Sequence, residues 1–294
     1  MTLFFTAVTV GLGIGAIYGL VGIGYTVIFS ATRTFNLAQG DLVMVGVMLS
    51  WFMMTLNHVP QILTLLTVVT SVALISWIEE RLVVRPFLKR GSSAFGWFIA
   101  TLGFSVVIET VVNNLFGNHA ISAIPSPFPS TGFKVGSVII SYQNSFVFVV
   151  FIVVILALEI FQRKTWIGQA MRASSEDREA VSLLGINPSV MSQSAFLIAG
   201  AIAGLTGWAI APIVFSDPSI GLSYTVKGFL ALAIGGFGSV RGAVVGGLLL
   251  GIAEQLFDVY SNSDYEIVVG LVIVLAVLIL RPEGLFRSSA ARAV

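Results

Sequence analysis

A chain of 294 residues that is 56% apolar and only 10% charged falls well short of the roughly 25% charge of water-soluble domains. The absence of cysteine excludes disulfide frameworks and thiolate metal sites, and a formal net charge of +1 offers nothing to nucleic acid. With a mean hydropathy of +0.99 and uncharged runs near or above twenty residues, the composition is that of a polytopic membrane protein.

Lipid obliges each span to satisfy its own backbone hydrogen bonds, so an all-α fold is expected, and the alternating ten-residue segments of a β-barrel are absent. In chain order the candidate spans are 5–30, 37–56, 61–78, 95–116, 144–161, 191–212, 225–238, 241–257 and 265–280. That makes eight to nine transmembrane helices, with 225–238 short or broken. The first 30 residues lack the basic region of a cleavable signal peptide and are expected to remain as a span.

Before the second span, Phe35–Asp41 forms a polar break. Asn36 is placed to cap a helix whose first turn holds Asp41. Alternatively Asn36, Gln39 and Asp41 line a pathway, where free helix-end amides receive a carboxylate. The segment 79–94, with Glu79, Glu80, Arg81, Arg85, Lys89 and Arg90, is expected to be an ordinary solvated loop. In the fourth span, Glu109 is expected to face protein or water. The loop 117–143 contains Pro125, Pro127 and Pro129 and is expected to be extended.

A polar island follows. Eight charges lie between Glu159 and Glu179, flanked by charge-free segments 135–158 and 180–216. Ala170–Leu184 reads as one short helix, with Gly185 at its C-cap and Pro188 beyond the stop. Arg172 and Glu176 can pair along one face, while Ala173, Ala180, Leu183 and Leu184 form an apolar side. Such a helix, set between membrane spans, is suited to docking on a soluble partner.

Ser216–Lys227 is a second break, opening a span that carries Gly228 and Gly235 on the same candidate pathway. Gly235–Gly242 is expected to be a tight turn, and Gly242, Gly246, Gly247 and Gly251 a small-residue face for close packing. Glu254 is expected at the end of its span, near the interface. Gly15-Ala16-Ile17-x-Gly19-Leu20-x-Gly22 recurs as Gly200-Ala201-Ile202-x-Gly204-Leu205-x-Gly207, as in the inverted repeats of transporters. Placing 79–94, the island, 281–294, Arg33 and Arg241 on the cytoplasmic side puts thirteen of the fifteen positive residues there. Only Lys134 and Lys227 then lie outside, with the N-terminus outside and the C-terminus cytoplasmic.

The island resembles the cytoplasmic coupling loop of ABC importer permeases. Its Gly168, Arg172, Ala173, Asp177, Gly185, Ile186 and Asn187 follow the G-x3-R-A-x3-D-x7-GIN spacing of the branched-chain amino-acid permeases, in their subgroup with a short C-terminus. FNLAQGDLVMVG (35–46), KGFLALAIGGFGSVRGAVVGGLLLGIAE (227–254) and RPEGLF (281–286) extend the resemblance over most of the chain. It implies a single permease domain with a coupling loop over 162–190, in the inner membrane. It also implies a second related permease, two cytoplasmic ATPase subunits and an external substrate-binding protein. The chain has no G-x4-G-K-[ST], so ATP hydrolysis falls to separate chains and no cofactor is expected. The competing reading is a stand-alone ion-coupled carrier for a small organic solute. A membrane-embedded enzyme is disfavoured, because no catalytic or metal cluster has suitable spacing.

Overall fold

A computed structural model describes residues 2–89, 94–117, 124, 126–129, 132–136, 138–176, 178–261 and 266–286. Among the described residues the α-helices run in the order α1 (Thr2–Thr32), α2 (Gln39–Trp51), α3 (Gln61–Glu79), α4 (Arg85–Lys89), α5 (Ala94–Phe116), α6 (Tyr142–Lys164), α7 (Trp166–Glu176), α8 (Arg178–Leu183), α9 (Pro188–Ile210), α10 (Ile220–Gly235), α11 (Val240–Tyr260) and α12 (Glu266–Leu280). Short π-helical turns, Phe52–Leu56 and Glu80–Val84, prolong α2 and α3. Seven helices among the described residues are long and apolar enough to cross a membrane. The other two apolar helices, α10 and α12, have 16 and 15 residues, or about 24 and 22 Å at ~1.5 Å per residue. Neither alone spans ~30 Å of hydrocarbon.

Between lipid-exposed helices the hydrophobic effect has little to offer, so close backbone approach does the packing. The long helix α1 lies antiparallel against α11, and glycines on both sides make the seam. A Cβ added at Gly15 would sit 2.7 Å from the Gly247 carbonyl oxygen, and one at Gly251 would sit 2.3 Å from the Gly15 nitrogen. The helix α9 closes on α3 in the same way, with Gly200 against Ala73 and Ser76 and Gly204 against Val68 and Val69. Both of the similar glycine segments therefore lie at a helix–helix seam. In addition α1 packs on α10, α2 packs on α9, and α1 and α9 touch each other.

The expected tight turn is present. Gly236 and Gly238 have φ of 106° and 78°, values that any side chain would strain. The RPEGLF ending folds back onto this turn. The Leu285 and Phe286 amides donate to the carbonyls of Ile234 and Gly235, at 3.0 and 2.8 Å, and so close the end of α10. In the loop 117–143 the described residues include a two-stranded antiparallel ribbon, Gly132–Val135 with Val138–Ser141. Ser126 donates to Gln143, whose side-chain amide reaches the Ala209 carbonyl at 2.9 Å.

Three expectations are corrected. Residues 79–89 are not a solvated loop: helix continues through Lys89, and Glu79 and Glu80 are fully buried, while Arg90 lies outside the described residues. Val84 joins Ile28, Phe196 and Ala199 in a small apolar cluster that holds this extension down. The island helix does not start at Ala170. It begins at Trp166, because the Thr165 hydroxyl accepts the Gly168 amide at 3.0 Å and caps α7; α8 follows as Arg178–Leu183, and Asp177 between them lies outside the described residues. Glu254 does not end its span, since α11 runs on to Tyr260 and leaves it buried.

Gly251→Leu should force apart the α1–α11 seam, at a cost of about 1–3 kcal/mol or more, while Gly103→Leu, where nothing lies within 4 Å, should be silent. Thermal unfolding of the two variants in detergent checks the difference; equal melting temperatures would contradict the assigned seam.

Candidate functional site

The break after α1 is a turn built from its own side chains. Asn36 accepts the Ala38 amide at 2.9 Å, which closes the turn, while its side-chain NH2 donates to Glu79 on α3 at 2.8 Å. Asn36 therefore does not serve as the N-cap of α2. Ala38 occupies that position without a side-chain bond. Gln39 donates to the Ala199 carbonyl of α9 at 3.2 Å and presses on Gly24 of α1. Asn36, Gln39 and Asp41 are all fully buried, between helices and away from lipid.

The starts of α2 and α10 meet here. The Gly40 amide donates to the Thr225 hydroxyl at 3.1 Å, and that hydroxyl donates to the Leu37 carbonyl at 3.2 Å. The Tyr25 hydroxyl on α1 adds a 3.2 Å bond to the Thr225 carbonyl. Asp41 lies in the first turn of α2 and directly against Gly221 in the first turn of α10, where a Cβ would strike its carboxylate. Two helix N-termini thus share one carboxylate, an arrangement their dipoles favour. Ser105 and Glu109 of α5 face the same carboxylate, Glu109 half-buried one turn further along. One oxygen each of Gln39, Asp41 and Glu79 has no protein partner in this crowded junction. The remaining two pathway candidates are packing positions. Gly228 admits Val21 of α1, and Gly235 admits Gly242 of α11.

A second polar cluster escaped the sequence reading. Lys227 on α10 donates to Tyr18 on α1 at 2.9 Å and to Glu254 on α11 at 3.0 Å, with both charged residues nearly inaccessible. Opposite charges on neighbouring apolar helices were the available signal. It was hidden because each charge stands near the edge of an apolar run and reads as an interfacial residue. The ion pair ties α10 to α1 and α11, and so holds the α10 start against Asp41.

The island stands apart from this junction. Gly168 lets α7 turn back on the end of α6, since a Cβ there would lie 2.3 Å from the Phe161 carbonyl oxygen. Ala170, Met171, Ser174 and Val181 are buried toward the body. Gly185 has φ of 80°, its amide bonds to Ser182 and the Ile186 amide bonds to Val181. This pairing of two bonds across a left-handed glycine is a Schellman ending, with Ile186 returning to the core. Asn187 then caps α9 by accepting the Ser189 amide at 2.9 Å. The expected apolar side is differently placed: Arg172 and Ala173 are exposed, and Leu183 and Leu184 are 87% and 79% exposed at the tip. Asp177 and the side chain of Ala180 lie outside the described residues, as does the Arg172–Glu176 pairing.

Residues 8–279 match the family described as "Branched-chain amino acid transport system / permease component". The chain belongs to that family. It is 32% identical over 289 residues to the high-affinity branched-chain amino acid transport system permease protein LivH of Escherichia coli, covering 94% of this chain and 92% of LivH. It is 31% identical to BraD, the corresponding high-affinity permease protein of Pseudomonas aeruginosa, over 94% of this chain and 93% of BraD. A more distant likeness, 25% identity over 92% of this chain and 67% of the relative, joins it to the E. coli permease protein LivM. The chain is accordingly a multi-pass membrane protein of a permease family, and the stand-alone carrier reading gives way.

Truncating Lys227 alone to Met leaves Glu254 buried without its partner and should cost about 3–5 kcal/mol. The double variant Lys227→Met with Glu254→Gln should recover much of that loss. Yield and melting temperature of the two single variants and the double give the coupling, and strictly additive losses would contradict a direct ion pair.

Proposed function

We propose that this chain is the permease subunit of an ATP-driven importer of branched-chain amino acids. It would form the route with a second, related permease, draw on two cytoplasmic ATPase subunits, and receive substrate from an external binding protein. The observation that carries this reading is the α7–α8 unit within a chain of this family: a capped helical segment, folded back on α6 by Gly168, that presents Arg172, Leu183 and Leu184 to an external partner. LivH and LivM carry the names of two permeases of one transport system, which supports a paired arrangement. Gly168, Arg172, Ala173, Asp177, Ala180, Gly185, Ile186 and Asn187 form the coupling segment in this reading. Gly185, Ile186 and Asn187 contribute by fixing where the exposed tip ends. Chemistry on ATP belongs to the partner chains, so the permease itself is not an enzyme.

The substrate route passes the junction of the α2 and α10 starts. Asn36, Gln39 and Asp41 hold the two helix ends together, while Gly228 and Gly235 set how closely α10 lies to its neighbours. The two glycine segments form an inverted repeat in this reading. The exchange of partners, α1 on α10 and α11 against α9 on α2 and α3, supports it. The 162–190 segment lies on the cytoplasmic side of the inner membrane with the C-terminus, and the N-terminus lies outside. With Lys227 buried, Lys134 is the one cation that departs from the positive-inside rule.

Leucine uptake into cells lacking their own system, restored by this chain with its partner subunits and lost when the chain is omitted, tests the function. Gly185→Val and Leu183→Glu should each reduce uptake and substrate-stimulated ATP hydrolysis at least tenfold while membrane insertion stays normal. Full uptake in both variants would end the docking assignment.

The native chain has no cysteine, so Leu183→Cys and Lys134→Cys report topology directly. The first should react with a membrane-impermeant maleimide only in inverted vesicles, the second only in intact cells. Labelling of both from one side would reverse or void the orientation. Asn36→Leu and Gln39→Leu should lower the transport rate and leave ATPase attachment intact; an unchanged rate in both would remove the junction from the route.

A further inference from the structure

An apolar groove of ≈ 480 Å³ runs between α3, α6 and α9. Ile198, Ala201, Ile202 and Leu205 of α9 form its floor, Leu65, Leu66 and Val69 of α3 one wall, and Val154, Ala157, Leu158 and Phe161 of α6 the other. No polar side chain lines it, so nothing in it would hold an amino acid's ammonium or carboxylate. The groove opens sideways, on a flank where Leu66, Leu74, Leu156 and Ile160 are each more than half exposed. In a membrane span such side chains face hydrocarbon.

At one end the groove reaches Phe161, and the chain immediately beyond is polar and basic: Gln162, Arg163 and Lys164 close α6, and Trp166 is 66% exposed. Arg163 pairs with Glu159 one turn back on α6, so Lys164 remains as the net positive charge of this rim. Tryptophan and lysine at a helix end belong at headgroup depth, where lysine extends toward phosphate. A hydrocarbon slot that ends at a net positive rim is complementary to one kind of molecule in its surroundings. We propose that this groove binds an acyl chain of an anionic phospholipid, with the headgroup at Lys164. Chain and lipid tails are equally apolar, so the gain lies in filling a void that would otherwise forfeit dispersion contacts. The site is separate from the junction of α2 and α10, and it sits on the helix that leads through Thr165 into α7.

The test uses the full chain with its partner subunits in vesicles doped with a phospholipid carrying a photoreactive diazirine on its acyl chain, as phosphatidylglycerol or as phosphatidylcholine. Adducts mapped by mass spectrometry should concentrate at Ala157, Ala201 and Leu205, at least threefold above the lipid-facing Leu156. They should also be at least threefold stronger with phosphatidylglycerol. Ala157→Phe with Ala201→Phe should abolish groove adducts and leave those at Leu156 unchanged. Lys164→Gln, which keeps the groove and removes the charge, should erase the headgroup preference. Adducts spread evenly over α6, equal labelling by both lipids, or protein–protein crosslinks from the second permease at these positions would each overturn the proposal. None of these results depends on which solute the importer carries.

Discussion

The contact of α1 with α11 is the constraint on which the rest of this structure depends. Lipid tails compete for apolar side chains as effectively as another helix does, so a bundle needs contacts that lipid cannot imitate. Gly11, Gly15 and Gly19 on one helix, with Gly247 and Gly251 on the other, bring backbone against backbone. That seam fixes α1 from Gly11 to Gly22. With α1 placed, Val21 and Tyr25 locate α10, Gly24 locates Gln39, and the polar turn at Asn36 falls beside Glu79. Each glycine costs helix propensity of about 1 kcal/mol in isolation, and the close approach it permits offsets that loss.

Within this scaffold the polar groups are concentrated where helices begin, and each has a geometric reason to be there. Asn36 satisfies a backbone amide and a carboxylate at once. Thr225 bridges two helix starts, and Asp41 stands where two N-terminal dipoles converge. Lys227 and Glu254 are the exception, a charge pair across helix flanks; each is tolerable in an apolar bundle only because the other is present.

Much of this fold was legible because membrane spans announce themselves by length and charge depletion. Every candidate span has a helix, and the turn at Gly236–Gly238 and the glycine face of α11 lie where the residues placed them. What escaped was tertiary in origin. Glu79 and Glu80 read as loop residues because a charged pair normally marks the end of a span, yet Asn36, forty-three positions earlier, supplies the donor that lets Glu79 be buried. The start of α7 was missed because the Thr165 cap stands behind Trp166 and Ile167, which read as the tail of the preceding span. The exposed Leu183 and Leu184 were expected on a helix side; the Schellman ending at Gly185 moves them to a tip.

The closure of α10 by the far end of the chain sets an order on assembly. The carbonyls of Ile234 and Gly235 receive their donors from Leu285 and Phe286, some fifty residues later in synthesis. Until that tail emerges, α10 enters the membrane with an open end, held only by its flanks. The RPEGLF segment is thus the latch that completes a helix inserted well before it, and the chain reaches its final hydrogen-bond pattern only after translation has passed its last span.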